Sequence, residues 1–318
     1  MGVAVVKTPA VDILLAAYNG EKYLPEQLAS LRKQFRQDFR VLMHDDGSTD
    51  GTPELLSQVC REDSRFVMAE NRETGLGAAG SFIALMKESS APCCCLCDQD
   101  DVWTPDHVLV LLRDLEKLRE QVGFDAPMLV TGDCAVTDET GRLLHPSFCM
   151  HQGWKREALP LRMLLVQNNA TGCTMLLNGE LRRLVTEHAR PERMFMHDWF
   201  IAQTAAAFGA IWFEQLPLVD YRQHGSNALG ASADGLLTRG AKALSHGEGA
   251  RQRIALTYRQ TELLLEVYGD SLSAPARREL EGYLATEHMP KLKRVLTVRR
   301  RGYVMQNSIA RLGQLIFG

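Results

Sequence analysis

The chain has 318 residues, of which 45% are hydrophobic and 24% are charged, a composition typical of a folded globular protein. Its formal net charge of −3 excludes a broadly basic surface, so nucleic acid is not expected as a partner. No stretch approaches the ~18 apolar residues of a membrane span, and Lys7, Pro9 and Asp12 interrupt the apolar core of a signal peptide. The sequence therefore predicts a cytoplasmic protein whose only membrane contact would be peripheral, on the inner face of the cell membrane.

The first 125 residues alternate short apolar runs with amphipathic stretches. VDILLAAY, FRVLMHD, RFVMA and CCCLC are typical of buried strands, and apolar residues recur at helical spacing between them. A long helix is expected from Pro105 to about Gln121. This alternation predicts an α/β fold with a mostly parallel sheet and helices on both faces.

The alternation loosens after residue 125. PMLVTGD and GCTMLLN are predicted strands, HDWFIAQTAAAFG is a predicted helix, and IWFEQLPLVDYRQHG is predicted to be one strand that leaves the domain. GSNALGASADG has the composition of a linker. We therefore expect a catalytic domain over residues 1–232 and a helical C-terminal extension over residues 233–318.

The last thirty residues are basic and amphipathic. After Glu287 the chain has no acidic residue, while lysines and arginines alternate with apolar residues. Such a segment can lie on an anionic membrane surface. It can equally be a helix docked on the protein, with its basic side in water, or packed on a second subunit in a homodimer.

Four of the eight cysteines lie in the segment CCCLCDQDD, residues 93–101. Cys94 and Cys97 form a C-x-x-C, but no second pair follows at the spacing of a structural zinc site. Buried thiols in a central strand are therefore favoured over a metal or redox site. The carboxylates that follow then lie where open α/β sheets bind their ligands.

Polar residues follow three predicted strands at this same edge. They are Tyr18 and Asn19, then Asp45 and Asp46, then Asp98, Asp100 and Asp101. The segment HDDGSTDGT resembles the start of a calcium loop, but Ser57 stands where the bidentate glutamate is required. Asp50 or Thr52 can cap the next helix, whereas the adjacent Asp45 and Asp46 are interpreted as ligand contacts because like charges repel.

Several further residues could bind a metal or an anion or act as a base. Asp98 and Asp100 at alternate positions can bind a hard divalent cation, although an acidic turn that caps the helix near Pro105 is the alternative. Asp198 is either a helix N-cap or a partly buried general base. His224 can bind a metal or a phosphate, and Arg222 can neutralise an anion.

Taken in order, the motifs AAYNGEKYLPEQLASL, DDGSTDGT, CDQDDVW, HDW and YRQHGSN resemble those of the family-two glycosyltransferases of the GT-A fold, and most closely bacterial rhamnosyltransferases. The similarity spans about residues 11–230. It implies a GT-A, Rossmann-like domain that transfers a sugar, with L-rhamnose from dTDP-rhamnose as the first expectation and a UDP-sugar as the other. The implied acceptor is a glycan or a lipid-linked sugar of polysaccharide or lipopolysaccharide biosynthesis.

The resemblance also implies a role for particular residues. Asp100 and His224 would hold Mg²⁺ or Mn²⁺, and Asp198 would be the catalytic base of an inverting reaction. Thr171, Gly172 and Trp199 would line the acceptor side. The residues that would bind the nucleotide sugar are Ala17, Tyr18, Asn19, Glu21, Asp46, Asp98, Gln99 and Arg222.

Two other functions fit parts of the pattern. A haloacid-dehalogenase-like phosphatase would use Asp98 as its nucleophile and Asp100 as its acid and base. That motif normally opens its domain, whereas three β-α layers precede Asp98 here, and it gives Asp45 and Asp46 no role. A non-catalytic nucleotide-binding module is disfavoured because a metal site and a base are both expected.

Overall fold

Two sheets form the framework of the protein. The computed structural model describes residues 9–225 and 247–317. In chain order its strands are β1 (Val11–Ala17), β2 (Phe39–Asp45), β3 (Phe66–Met68), β4 (Cys93–Asp98), β5 (Val102–Trp103), β6 (Met128–Gly132), β7 (Ala135–Thr137), β8 (Leu143–His145), β9 (Leu176–Asn178), β10 (Ala210–Glu214) and β11 (Val219–Arg222). The larger sheet has seven strands in the order β10-β6-β9-β4-β1-β2-β3, and the smaller has the order β5-β11-β7-β8.

The larger sheet is parallel except at β9, which pairs antiparallel with both β4 and β6. Successive residues of a strand point to opposite faces. In β1, Leu14 packs in one hydrophobic cluster, whereas Ile13 and Leu15 pack in the other. Both faces of the sheet are therefore covered, as the solid apolar runs predict, and the mostly parallel α/β fold is confirmed.

Helices cover these two faces. In chain order they are α1 (Leu24–Arg32), α2 (Thr52–Glu62), α3 (Gly77–Glu88), α4 (His107–Val122), α5 (Phe148–Gln152), α6 (Leu161–Leu164), α7 (Gly179–His188), α8 (His197–Phe208), α9 (Gly247–Tyr268), α10 (Ala274–Leu284), α11 (Lys291–Arg301) and α12 (Ser308–Phe317). Apolar residues of α1, α2 and α4 pack on one face of the sheet, and those of α3, α7 and α8 pack on the other.

The cysteines of β4 are buried, as predicted. Cys94, Cys95 and Cys97 have no exposed surface, and all the described cysteines are free thiols. Burial raises the pKa of Cys93 to about 11 and that of Cys94 to about 12, because a thiolate is poorly solvated there. These thiols therefore act as small apolar side chains in the centre of the sheet.

Two predictions about the second half of the chain were wrong in detail. IWFEQLPLVDYRQHG is two strands, β10 and β11, which belong to different sheets and are separated by a segment that contains Pro217. GCTMLLN begins with a 3₁₀ turn, Gly172–Thr174, and only its end forms β9. Both differences arise because the pattern of apolar residues along a run does not show where the backbone turns.

The helices after residue 247 pack on the face that α8 also covers. Tyr258, Leu264, Tyr268 and Tyr283 are buried in the same cluster as Leu14 of β1. The predicted linker and the boundary at residues 232 and 233 lie outside the described residues. Across the described ranges none of the helices combines the length and apolar character needed to cross a bilayer.

Candidate active site

The loops that follow β1 and β4 are joined by a side-chain clamp. The Tyr18 N–H donates to Oε1 of Gln99 (2.8 Å), and Nε2 of Gln99 donates to the Tyr18 carbonyl oxygen (2.9 Å). A Cβ at Gly20 would overlap Oε1 of Gln99, so a larger residue there would displace the Gln99 side chain from the clamp. The clamp leaves the Tyr18 side chain 56% exposed at the strand edge, where a planar ligand can stack on it.

The loop after β1 is also bonded to the DDGSTDGT segment. The Asn19 N–H donates to Ser48 Oγ (2.8 Å), and Oδ1 of Asn19 accepts from the Thr49 N–H (2.8 Å). Asn19 has a positive φ of 49°, a conformation that asparagine tolerates better than most residues. Oε2 of Glu21 accepts from the Gly51 N–H (2.9 Å). Asn19 and Glu21 therefore hold two predicted binding loops together.

The adjacent Asp45 and Asp46 have structural partners that the sequence did not reveal. Asp45 accepts from the backbone N–H and the hydroxyl of Ser48. Asp46 accepts from the N–H groups of Leu76 (2.7 Å) and Gly77 (2.8 Å), at the start of α3. The Asp46 N–H in turn donates to the carbonyl oxygen of the buried Ala17 (2.9 Å). These bonds explain the paired charges without a ligand, and base recognition by Asp46 and Ala17 stays a prediction.

Carboxylates gather where β4 ends. Ligand atoms of Asp98, Asp101 and the buried Cys173 lie within 4.8 Å of one another. Burial, and then the negative charge of Asp100, raises the pKa of Asp98 to about 7. Asp101 has no exposed surface, and burial and its acidic neighbours raise its pKa well above the usual range. Oδ2 of Asp101 has no hydrogen-bond partner. We term Asp98, Asp100 and Asp101 the carboxylate tip. Its carboxylates are crowded and poorly solvated, and a bound cation would reduce their mutual repulsion.

Asp100 and His224, the predicted metal ligands, are in contact. Nε2 of His224 lies 2.7 Å from Oδ2 of Asp100, and the imidazole stacks on Tyr23 with ring centroids 4.6 Å apart. The donor set of carboxylates and an imidazole fits a divalent cation such as Mg²⁺ or Mn²⁺. His224 comes from the segment after β11, so the fold brings it to Asp100 from a distant part of the sequence.

Arg222 is hydrogen-bonded to residues 100 and 101. Its side chain is 3% exposed and forms an ion pair with Glu26. Its Nε donates to the Asp100 carbonyl oxygen (2.9 Å), and Nη1 donates to the Glu139 carbonyl oxygen (2.9 Å). The Arg222 N–H donates to Oδ1 of Asp101 (3.1 Å). These contacts give Arg222 a positioning task for residues 100–101, whereas its predicted contact with a phosphate stays a prediction.

Asp198, the predicted base, lies in the first turn of α8. The helix begins after Met196, so Asp198 is not its N-cap residue. The carboxylate is 5% exposed and accepts from the N–H groups of Trp199 (2.6 Å) and Gly172. Burial raises the pKa of Asp198 to about 7, and its charge contributes to the raised pKa of Asp98. The carboxyl group can therefore take up a proton near neutral pH.

The predicted acceptor-side residues divide into two groups. Gly172 lies against Asp198, because a Cβ at Gly172 would be 3.6 Å from the Cβ of Asp198. Thr171, just before it, is half-buried. Trp199 is 6% exposed, and its indole N–H donates to the Leu164 carbonyl oxygen. Trp199 is thus largely buried, and its role on the acceptor side stays a prediction.

Sequence reasoning missed two residues that adjoin the site. Tyr23 supports the His224 ring, and an aromatic residue in the turn between β1 and α1 was the available signal. His197 precedes the base, and burial lowers its pKa to about 4, so the imidazole is neutral beside Asp198 at physiological pH. The motif alone does not show that His197 is neutral, because its ring is buried against Phe82, which comes from a distant part of the sequence.

Known proteins share this sequence pattern and this fold. dTDP-rhamnosyl transferase RfbG of Shigella flexneri is 24% identical over 228 residues, which are 69% of this chain and 74% of RfbG. The putative glycosyltransferase EpsH of Bacillus subtilis (strain 168) is 28% identical over 148 residues, 44% of this chain, and the match spans 38% of EpsH.

Solved structures show the likeness of fold. S. aureus TarS 1-349 in complex with UDP-GlcNAc superimposes with a TM-score of 0.55 at 15% identity, covering 96% of this chain and 88% of TarS 1-349. The mannosyltransferase PcManGT from Pyrobaculum calidifontis, in complex with GDP-Man and Mn²⁺, gives a TM-score of 0.51 at 12% identity and covers 98% of this chain and 84% of that one.

The sequence profile of glycosyl transferase family 2 matches residues 12–177, just over half of the chain. The matched residues include the strand-end loops and the carboxylate tip, which the phosphatase alternative does not explain together. None of these comparisons supports the phosphatase. The chain belongs to glycosyl transferase family 2.

Proposed function

We propose that this chain moves a sugar from a nucleoside diphosphate donor to a hydroxyl of a glycan or lipid-linked acceptor, with inversion at the anomeric carbon. The observation that carries the proposal is the buried carboxyl of Asp198, whose pKa is raised to about 7 beside the carboxylate tip. A base with this pKa can accept the acceptor's proton at the pH of the cytoplasm.

The loops after β1, β2 and β4, residues 17–21, 46–52 and 98–101, form the donor side in this proposal. The exposed ring of Tyr18 stacks on the nucleotide, while Asn19, Glu21 and Gln99 keep the loops in position. Asp98 contacts the ribose or the sugar. Asp100 and His224 would hold Mg²⁺ or Mn²⁺, and a cation bound there would offset the negative charge of the diphosphate leaving group.

The base side comprises Asp198 and the Thr171–Gly172 segment. The acceptor oxygen attacks the anomeric carbon, the bond from that carbon to the diphosphate oxygen breaks, and the acceptor proton passes to the Asp198 carboxylate. The backbone N–H groups of Trp199 and Gly172 hold that carboxylate in one orientation. Neutral His197 adds no positive charge that would lower the basicity of Asp198.

dTDP-L-rhamnose is the proposed donor. The 24% identical relative RfbG, a dTDP-rhamnosyl transferase, supports this choice, and the DQDDVW, HDW and YRQHGSN motifs are consistent with it. The complexes of TarS with UDP-GlcNAc and of PcManGT with GDP-Man and Mn²⁺ support the broader proposal that a nucleotide sugar and a divalent cation bind here.

Thermal denaturation with a panel of nucleotide sugars tests the proposal. The protein is heated with dTDP-rhamnose, UDP-GlcNAc or GDP-mannose, each with Mn²⁺, with Mg²⁺ or with chelator. We expect the largest rise in Tm with dTDP-rhamnose and cation, because a ligand at 100 times its Kd stabilises by about 2.7 kcal/mol. Asp100→Ala should abolish the part of the rise in Tm that depends on the cation. Asp125→Ala, at an exposed position, should leave that part unchanged. A protein that hydrolyses phosphate monoesters and binds no nucleotide diphosphate would contradict the proposal.

A further inference from the structure

Helix α11 exposes its leucines. Leu292 and Leu296, one turn apart, are 75% and 61% exposed, whereas Val298 on the opposite side is 5% exposed. At 100° per residue, Lys293, Arg299 and Arg300 flank the two leucines, and all three are exposed. A helix that only docks on the protein would bury its leucines and expose its charges. In α11 both kinds of side chain face outward.

Helix α12 also exposes two apolar residues. Leu312 and Ile316 are 52% and 37% exposed, while Gln314 is 8% exposed. The buried amide is bonded at both ends, because Nε2 of Gln314 donates to the Tyr303 carbonyl oxygen (2.8 Å) and Oε1 accepts from the Met305 N–H (3.0 Å). Gln314 and the partly buried Leu315 therefore anchor the helix, while Leu312 and Ile316 face outward.

The two helices are neighbours. Val298 of α11 and Gln314 of α12 line one small cavity against α9. Their outward residues constitute what we term the C-terminal surface: Leu292, Lys293, Leu296, Arg299, Arg300, Leu312 and Ile316. No acidic residue occurs after Glu287, so no carboxylate from this segment offsets the positive charge.

We propose that the C-terminal surface binds an anionic lipid bilayer, with the leucines inserted at the level of the headgroups and the arginines paired with lipid phosphates. Apolar side chains flanked by cations suit such an interface, and each Lys or Arg near an anionic surface adds to the attraction. A second copy of the chain is a poorer occupant, because a two-fold interface would bring like-charged surfaces together.

The loop between α11 and α12, which joins the two halves of the C-terminal surface, is bonded to the segment that leads to the base side. The Gln306 N–H donates to Oε1 of Gln167 (2.7 Å), and the Lys155 N–H donates to Oε1 of Gln306 (2.8 Å). Nδ2 of Asn307 donates to the Gln152 carbonyl oxygen (3.0 Å). Bilayer binding would therefore hold the base side in a fixed relation to a lipid-linked acceptor. This orientation rests on the proposed function, whereas lipid binding does not.

Vesicle flotation of the full chain tests the proposal. We expect the protein to float with phosphatidylcholine vesicles that contain phosphatidylglycerol, and to stay behind with pure phosphatidylcholine. Arg299→Glu with Arg300→Glu should lower the partition coefficient at least about ten-fold, because two attractions become repulsions. The matched control, Lys33→Glu with Lys87→Glu, makes the same change in net charge at exposed positions just after α1 and in α3, and should bind like the wild type.

A second pair of variants separates insertion from charge attraction. Leu292→Ser with Leu296→Ser should lower the partition coefficient about ten-fold, because both leucines lose the gain from leaving water. Leu109→Ser with Leu216→Ser changes leucines that are 44% and 51% exposed elsewhere and serves as the control. Melting temperatures equal to that of the wild type would show that the C-terminal variants fold. Point substitutions are used instead of deletion of residues 290–318, because the deletion would remove the buried Tyr303 from the core.

Three results would overturn the proposal. The first is equal flotation with neutral and anionic vesicles, or none with either. The second is equal loss in the test and control variants. The third is a dimer in light scattering that the leucine variants dissociate, without any vesicle binding, because the C-terminal surface would then serve a second copy. Nucleotide-sugar binding by the wild type is measured in the same preparation, so failure of lipid binding is distinguished from failure of the proposed function.

Discussion

The donor side and the base side achieve order by opposite means. On the donor side, Gln99, Asn19 and Glu21 tie loops to one another through hydrogen bonds of 2.8–2.9 Å between side chains and backbone. On the base side, Asp198 is buried and has two backbone donors, and burial dominates its pKa. Hydrogen bonds thus fix positions on one side, while desolvation sets basicity on the other.

The largest effect is expected at the base. Asp198→Asn should lower the transfer rate by about 10²–10⁴-fold, because the amide cannot take up the acceptor proton. Nucleotide-sugar affinity should remain close to that of the wild type, because Asp198 lies on the base side. Single-turnover kinetics and calorimetric titration of the donor measure the two quantities.

The exposed Asp125→Asn is the control for this substitution. It should leave both rate and affinity unchanged. Equal turnover by Asp198→Asn and the wild type would show that Asp198 is not the base. The burial of Asp198 would then have no role in catalysis.

The pH dependence of the transfer rate should report the titration of Asp198 on the base side. Because the active form of Asp198 is deprotonated and its pKa is about 7, the transfer rate should fall about ten-fold per pH unit below that value and level off above it. Asp98 also has a pKa raised to about 7, so donor affinity is measured over the same range to separate the two. A flat rate profile between pH 5.5 and 8 would contradict the assignment.

The next largest effect tests the clamp. Gln99→Leu removes both hydrogen bonds to the backbone of Tyr18, and we expect KM for the donor to rise about ten-fold while kcat changes less, since each bond contributes about 1 kcal/mol. Gln99→Glu keeps an acceptor for the Tyr18 N–H, so its KM for the donor should lie between those of Gln99→Leu and the wild type. A fall in kcat with unchanged KM would place Gln99 in the chemical step instead.

The smallest effect is expected at Asn19. Asn19→Ala removes the acceptor for Thr49 and places a residue less suited to φ of 49° in the turn, so the free energy of unfolding should fall by about 1–2 kcal/mol. Asn19→Gly relieves the backbone conformation and should cost less. Urea denaturation compares the two; a glycine variant as unstable as the alanine variant would show that the φ angle is not the cause.

The sequence by itself determined the fold class and the edge of the sheet where the site lies. Short apolar runs such as VDILLAA that alternate with amphipathic helical stretches predict buried strands of a parallel sheet, and the residues that follow parallel strands share one edge. The motifs likewise placed Asp98, Asp100 and Asp198 in the set of candidate residues. Both inferences depend on local patterns, which the chain carries without reference to distant residues.

Only the tertiary structure decided the partners and environments of these residues. Asp46 caps α3 and Arg222 bonds to the backbone of the tip, because elements far apart in the chain meet there. Trp199 lies in the core rather than on the surface, and Leu292 faces outward rather than inward. Helical spacing shows which residues share a face but not what covers that face, since burial and pKa depend on atoms contributed by other segments.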